Sequence, residues 1–187
     1  MTSSTAPLSP RTAARGSRRS RGARIRSLVT ALALVAAPGA VVLGTAGDAA
    51  AATKISHATA TSMFRDAGVT WSSSGNCSNR NISTCTSFEQ LNLATAQGAQ
   101  TLKRASGCAL NITGGTETGH ASGTYSHWNG YKLDFSKSTC LNNYVKNSFS
   151  YIGVRGDGAQ QWRSASGNVY ADEGNHWDVT YYNCGGC

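Results

Sequence analysis

Ser126-His127-Trp128-Asn129-Gly130-Tyr131-Lys132-Leu133-Asp134 is the stretch on which the reading of this chain turns. From Tyr131 to Ser136 the apolar Tyr131, Leu133 and Phe135 alternate with Lys132, Asp134 and Ser136, the period of a half-buried strand. Asp134 therefore faces away from the apolar side. On an unbroken strand His127, seven residues earlier, would lie on the opposite face, but a turn at Asn129-Gly130 lets it fold back over Asp134. Further along, Glu173-Gly174-Asn175-His176-Trp177-Asp178 opens a second alternating run, His176 to Tyr182. There His176, Asp178, Thr180 and Tyr182 share one face, and Trp177, Val179 and Tyr181 share the other. If the two strands are neighbours, His127, Asp134 and His176 meet around one point. Two imidazoles and a carboxylate suit zinc and leave a position for water. One aspartate only half offsets a divalent charge, so such a site acidifies water and polarises a carbonyl. Glu173, three residues before His176, is then placed to take a proton from water and pass it to a leaving amine. That division of roles belongs to a hydrolase.

Outward from this pair, the remaining elements alternate between helical and extended patterns. A short helix is expected over Ile55 to Ala67, stopped by Gly68. Thr86-Ser87-Phe88-Glu89 has the spacing of a capping box, which predicts a second helix running to about Ala105 and ended by Gly107. Cys108 to Thr113 reads as a strand followed by a glycine-rich loop, and Ser138 to Asn147 as a third helix. Strands are expected at Ile152 to Arg155, Gln160 to Arg163 and Val169 to Ala171, separated by glycine turns. This order predicts an α+β fold: a small, mostly antiparallel sheet packed with helices and stapled by disulfides.

The first 52 residues read differently. Seven arginines between Arg11 and Arg26, an apolar run from Leu28 to Leu43 and small residues from Ala46 to Ala52 form the pattern of a secretory signal peptide. Cleavage is expected between Ala49 and Ala52, leaving residues 53–187 as a single domain without a stable membrane anchor. The chain carries 17 Lys and Arg against 9 Asp and Glu, but seven of the former and one of the latter precede residue 53. The basic character thus belongs to the export segment and gives no reason to expect nucleic acid as a partner. All six cysteines follow that segment, which in an exported protein reads as a disulfide framework. Six cysteines permit fifteen pairings. Pairing neighbours in order gives Cys77–Cys85, Cys108–Cys140 and Cys184–Cys187. A cysteine zinc site would need paired C-x-x-C clusters, and one such spacing exists.

Ser126 to Asp134 resembles the S-x-H-x-x-G-x-x-x-D motif of the zinc D-Ala-D-Ala metallopeptidases, matching it from His127 onward with Ser126 one residue closer to the histidine, and Glu173 to Trp177 resembles their E-x-x-H-aromatic motif. That family includes D,D-carboxypeptidases and phage L-alanyl-D-glutamate endopeptidases acting on peptidoglycan. Leu110 to His120 is also similar to the hedgehog signalling domain, which shares the fold. The resemblance spans roughly Cys108 to Tyr182. It implies one zinc ion held by His127, Asp134 and His176, with Glu173 as the catalytic base. It further implies a peptidase cutting stem peptides of peptidoglycan; with the export segment, the protein is expected to be secreted, extracellular or at the cell wall, and a monomer. The alternative it leaves is a non-catalytic hedgehog-like zinc module that binds cell wall or protein. Many members carry an arginine in the loop after the first strand; here that loop reads Thr113-Gly114-Gly115-Thr116-Glu117. Arg80, Arg155 and Arg163 are candidates to replace it, and His120 or Tyr125 could donate a hydrogen bond instead.

Each of these residues also has a plainer reading. Asp134 could pair with Lys132, and Glu173 could be a solvated turn. His120 could support the site from behind or sit at the surface, as could Asp178. His57 is expected to be exposed and inert. Trp128 and Trp177, each following a ligand-type histidine, are candidates to line a substrate groove or to wall the site. Together His120, Tyr125, Trp128 and Trp177 make up the expected substrate-contacting set.

Overall fold

The computed structural model describes residues 52–182. The signal-peptide assignment and the Cys184–Cys187 pairing fall outside the described residues. The elements, in chain order, are β1 (Lys54–Ile55), α1 (His57–Ala67), β2 (Thr70–Trp71), β3 (Leu91–Asn92), α2 (Leu93–Ser106) and β4 (Asn111–Gly114). They continue with β5 (Lys132–Ser136), α3 (Thr139–Ser148), β6 (Ser150–Val154), β7 (Gln160–Arg163), β8 (Val169–Asp172) and β9 (His176–Thr180). Seven strands form one sheet in the order β2-β4-β5-β9-β8-β7-β6, parallel between β2 and β4 and antiparallel elsewhere. β1 and β3 form a separate antiparallel pair. The expected α+β class with a mostly antiparallel sheet is what the chain adopts.

The register of β5 against β9 matters most for function. Leu133 lies opposite Val179 and Phe135 opposite Trp177, while Asp134 faces Asp178 and Ser136 faces His176. Alternation sends the first set into the core, where Leu133, Phe135, Trp177 and Val179 are fully buried. Ala60 and Phe64 of α1, Ala96, Ala99 and Leu102 of α2, and Leu141 and Val145 of α3 join them in one apolar cluster. Burying each of the larger side chains contributes about 1.5–3 kcal/mol. Gly98 of α2 lies against Tyr181, and a Cβ there would sit 2.3 Å from Tyr181 Cδ1. The helices thus cover one face of the central strands, and the other face is free to carry polar groups.

Helix ends follow simple capping physics, with one exception. Ser56 and Ser138 accept from Thr59 N and Leu141 N to open α1 and α3. Gly68 and Gly107 close α1 and α2 in the left-handed conformation, at φ of 70° and 66°. The Thr86–Glu89 capping box, however, does not start a helix. Its groups are drawn off by distant partners: Ser87 N donates to Glu117 Oε2 at 2.7 Å, and Glu89 Oε2 accepts from His57 N at 2.9 Å. α2 begins seven residues after Thr86, at Leu93, behind an Asn92 whose side chain makes no cap bond. His57 is correspondingly not an inert surface residue. It is half-buried, accepts from Phe88 N at 3.0 Å and stacks on the Phe88 ring.

Two of the in-order disulfides are present, Cys77–Cys85 and Cys108–Cys140. No described helix is long and apolar enough to cross a membrane. The two bridges close loops of 8 and 32 residues, so the chain-entropy model assigns them unequal weights. Replacing Cys108 and Cys140 by Ala should cost about 3–4 kcal/mol, and replacing Cys77 and Cys85 about 2–3 kcal/mol. Urea unfolding midpoints of the two double variants would measure the difference.

Candidate metal centre

The polar face of β5 and β9 forms the floor of a cleft of about 470 Å³. His127, Asp134 and Asp178 lie on this floor, each about 4–5% exposed. Glu173 and His176 stand at its side, because the turn Glu173-Gly174-Asn175 joins β8 to β9 directly beside the floor. That turn is closed by Glu173 N donating to the His176 carbonyl at 3.1 Å.

Around Asp134 the imidazoles converge. His127 Nε2 is 3.3 Å and His176 Nε2 3.5 Å from Asp134 Oδ1, and His120 Nδ1 is 3.7 Å from Asp134 Oδ2. The donor atoms of His120, His127 and Asp134 all lie within 4.8 Å of one another, a group able to hold a metal ion. His176 stands outside that group and touches it through Asp134. In each histidine the nitrogen away from the cleft is already committed. His127 Nδ1 donates to the Gly115 carbonyl at 2.7 Å, His120 Nε2 to Glu117 Oε1 at 3.2 Å, and His176 Nδ1 to Asn175 Oδ1 at 2.7 Å. These bonds make those nitrogens donors and turn the other nitrogen of each ring toward Asp134, where it carries a proton or, once deprotonated, a lone pair for an ion. Asp134 Oδ1 and Asp178 Oδ1 are buried yet accept no hydrogen bond. Buried carboxylate oxygens without hydrogen bonds, beside convergent imidazole nitrogens, are what a cation site presents to its ion.

The local charge has the same sense. Burial alone would lower the pKa of His127, but Asp134 and Asp178 outweigh it and raise it to about 10. Asp178, although buried, is held well below the usual carboxylate range by His127 and by Lys132, whose Nζ lies 2.6 Å from Asp178 Oδ2. Lys132 therefore serves Asp178 and not Asp134. Arg155, from the turn between β6 and β7, reaches the same Asp178 Oδ2 with Nη1 at 2.8 Å and bonds Glu173 Oε1 with Nη2. Glu173 Oε2 is left 3.2 Å from His176 Nε2.

Behind the floor, Glu117 is the keystone of the loop that follows β4. It is 2% exposed and accepts from Ser87 N, from Gly115 N at 3.0 Å and from His120. Burial pushes its pKa up, and these donors, His120 first, bring it below the usual value. Arg80 does not enter the cleft. Its Nε donates to the Thr116 carbonyl at 3.1 Å, its Nη2 to the Trp128 carbonyl, and its guanidinium stacks 3.6 Å from the Trp128 ring centre. Arg163 is committed to β7, opposite Ser150 and Val169.

Of the expected substrate-contacting set, His120 lies within the metal-capable group. Trp128 and Tyr125 are 42% and 47% exposed on the loop before β5, with Tyr125 packed against Tyr131 and Tyr182. Trp177 does not line a groove. It is fully buried on the core face, its indole N–H donating to Asn142 Oδ1 at 2.8 Å. The alternation that puts His176 in the cleft necessarily turns Trp177 away from it. Arg155 was one of three arginines left open by the sequence, and the hairpin that delivers it has no motif of its own. Among known proteins the chain matches no family model, no curated protein and no solved structure.

Replacing His127 or Asp134 by Ala should abolish high-affinity metal binding, measured by equilibrium dialysis with zinc. Glu117→Gln, which replaces one of the two oxygens that hold Ser87 N, Gly115 N and His120, should weaken it by about 10–100-fold. Comparing His120→Ala with His176→Ala in the same assay identifies the third ligand.

Proposed function

We propose that this protein is a secreted zinc peptidase that hydrolyses peptide bonds of peptidoglycan stem peptides. The observation that carries the reading is the meeting of four separately placed groups at one end of β5 and β9: His127, Asp134, His176 and the Glu173 carboxylate. A tetrahedral ion with bonds of about 2.0–2.2 Å separates its ligand atoms by about 3.3–3.6 Å. The approaches of His127 and His176 to Asp134 Oδ1, 3.3 and 3.5 Å, fit two edges of that tetrahedron, while His176 stands outside the group whose donor atoms all lie within 4.8 Å of one another. Imidazole and carboxylate donors suit zinc. On this reading His127, His176 and Asp134 hold the ion, and His120 lies beside the second oxygen of Asp134 at 3.7 Å.

Zinc, when bound, supplies Lewis acidity toward a peptide carbonyl and lowers the pKa of water. The chain's own residues do the rest. Glu173 Oε2 takes a proton from the attacking water and returns it to the departing nitrogen. Arg155 grips the other oxygen, Oε1, and so fixes which edge of the carboxylate faces the cleft. A site that only held a metal for structure would have no need of a partly exposed carboxylate beside a ligand. The resemblance of the Ser126–Asp134 and Glu173–Trp177 motifs to peptidoglycan peptidases supplies the substrate class. The amino-terminal export pattern and the two disulfides agree with an oxidising compartment outside the cytosol.

Glu173→Gln should keep zinc at one ion per chain while kcat on purified cell wall falls by about 10²–10⁴-fold. Mass spectrometry of released muropeptides is the readout. Undiminished turnover in that variant removes Glu173 from the mechanism. Stoichiometric zinc with no hydrolysis by the unaltered protein returns the non-catalytic binding module.

A further inference from the structure

We infer that the cleft is built for an internal peptide bond and rejects substrates that present a free terminal carboxylate to it, which makes the protein an endopeptidase; this rests on the peptidase reading above. The inference comes from how the charges lining the cleft are already spent. Four carboxylates line it, Asp134, Asp157, Glu173 and Asp178, against two permanent cations, Lys132 and Arg155. One divalent ion would bring that balance to neutral and leave no positive charge over.

Neither cation is free to receive a substrate. Lys132 Nζ is 2.6 Å from Asp178 Oδ2. Arg155 engages three carboxylates at once. Its Nε lies 2.9 and 3.0 Å from the two oxygens of Asp157, Nη2 lies 2.6 Å from Asp157 Oδ2 and also bonds Glu173 Oε1, and Nη1 lies 2.8 Å from Asp178 Oδ2. Recognition of a terminal carboxylate needs a guanidinium fork or an ammonium whose charge is not already matched. Among the described residues lining the cleft both cations are matched, Lys132 by Asp178 with one of its three N–H groups, and Arg155 by Asp157, Glu173 and Asp178. The remaining arginine of this region, Arg80, points its donors at the Thr116 and Trp128 carbonyls. An incoming carboxylate would thus meet fixed like charge with no unmatched cation to pair with, whereas an amide continuing into a longer chain brings no charge and meets no such opposition.

The test uses zinc-loaded wild-type protein and two non-hydrolysable probes. Both are ketomethylene isosteres of acetyl-D-Ala-D-Ala, one the free acid and the other the C-terminal carboxamide, with affinities measured by calorimetry. The carboxamide should bind at least about 10-fold more tightly. Asp157→Asn releases part of Arg155 at the exposed edge of the cleft, and in that variant the two probes should come within about threefold of each other. Equal or tighter binding of the free acid by the wild type overturns the inference, as does failure of both probes to bind. An undiminished preference in Asp157→Asn overturns the assignment of that preference to the engaged Arg155. If instead the peptidase reading is at fault, the carboxamide preference persists while the protein cuts no bond in defined muropeptides. With both readings intact, wall digestion releases cross-link fragments ahead of terminal D-Ala.

Discussion

Two aspartates buried directly across from each other on neighbouring strands are the constraint that organises this protein. Asp134 and Asp178 are paired in the β5–β9 register and almost wholly removed from solvent. Directly opposed side chains on one sheet face are about 4.5–5.5 Å apart at Cβ, close enough for like charges to oppose folding. The pairing survives because each carboxylate has its own source of positive charge. Asp178 is served by Lys132 from its own strand pair and by Arg155 from the β6–β7 turn. Asp134 is served by imidazoles alone, and each of the two aspartates keeps one oxygen without a hydrogen bond. The sheet thus divides two similar carboxylates into one that is neutralised by the protein and one that is left for a cation.

The same register secures the core. Because the strand repeat is two residues, a slip of one position would bury Asp134, Asp178 and His176 among the helices and send Phe135, Trp177 and Val179 into the cleft. Stability and site formation therefore depend on one alignment. The Trp177–Asn142 hydrogen bond and the close approach of Gly98 to Tyr181 bind that alignment to α3 and α2.

This accounts for what could be read in the chain and what could not. Alternation over Tyr131–Ser136 and His176–Tyr182 is local, so both strands, their faces and the polar set Asp134, His176 and Asp178 were legible. Glycines at positions 68 and 107 marked helix ends because a left-handed residue is a local demand. The capping box at Thr86 misled because its Ser87 amide and Glu89 carboxylate are claimed by Glu117 and His57, partners some thirty residues away in sequence. Trp177 was judged by its neighbour His176 when its own place in the alternation already assigned it to the core. Arg155 was beyond reach for a different reason. Its role depends on a hairpin two strands removed from β9 curling over the cleft, and nothing in Val154-Arg155-Gly156 records that.

The Gly114-Gly115 pair has a physical role that composition does not reveal. They open the glycine-rich loop at the end of β4, yet both residues are buried and neither is among those with positive φ. Their contribution is the side chain they lack. A Cβ on Gly114 would lie 2.3 Å from Asp134 Oδ2 and 3.1 Å from His120 Cε1, and one on Gly115 would lie 2.0 Å from the Ser87 carbonyl. The backbone can therefore pass close enough for the Gly115 carbonyl to accept from His127 Nδ1 and for its amide to donate to Glu117. Any larger residue at Gly115 would push the loop off Ser87, and with it the two groups that orient His127 and His120. The orientation of the imidazoles around Asp134 is thus set by missing atoms on β4 as much as by the ligands themselves.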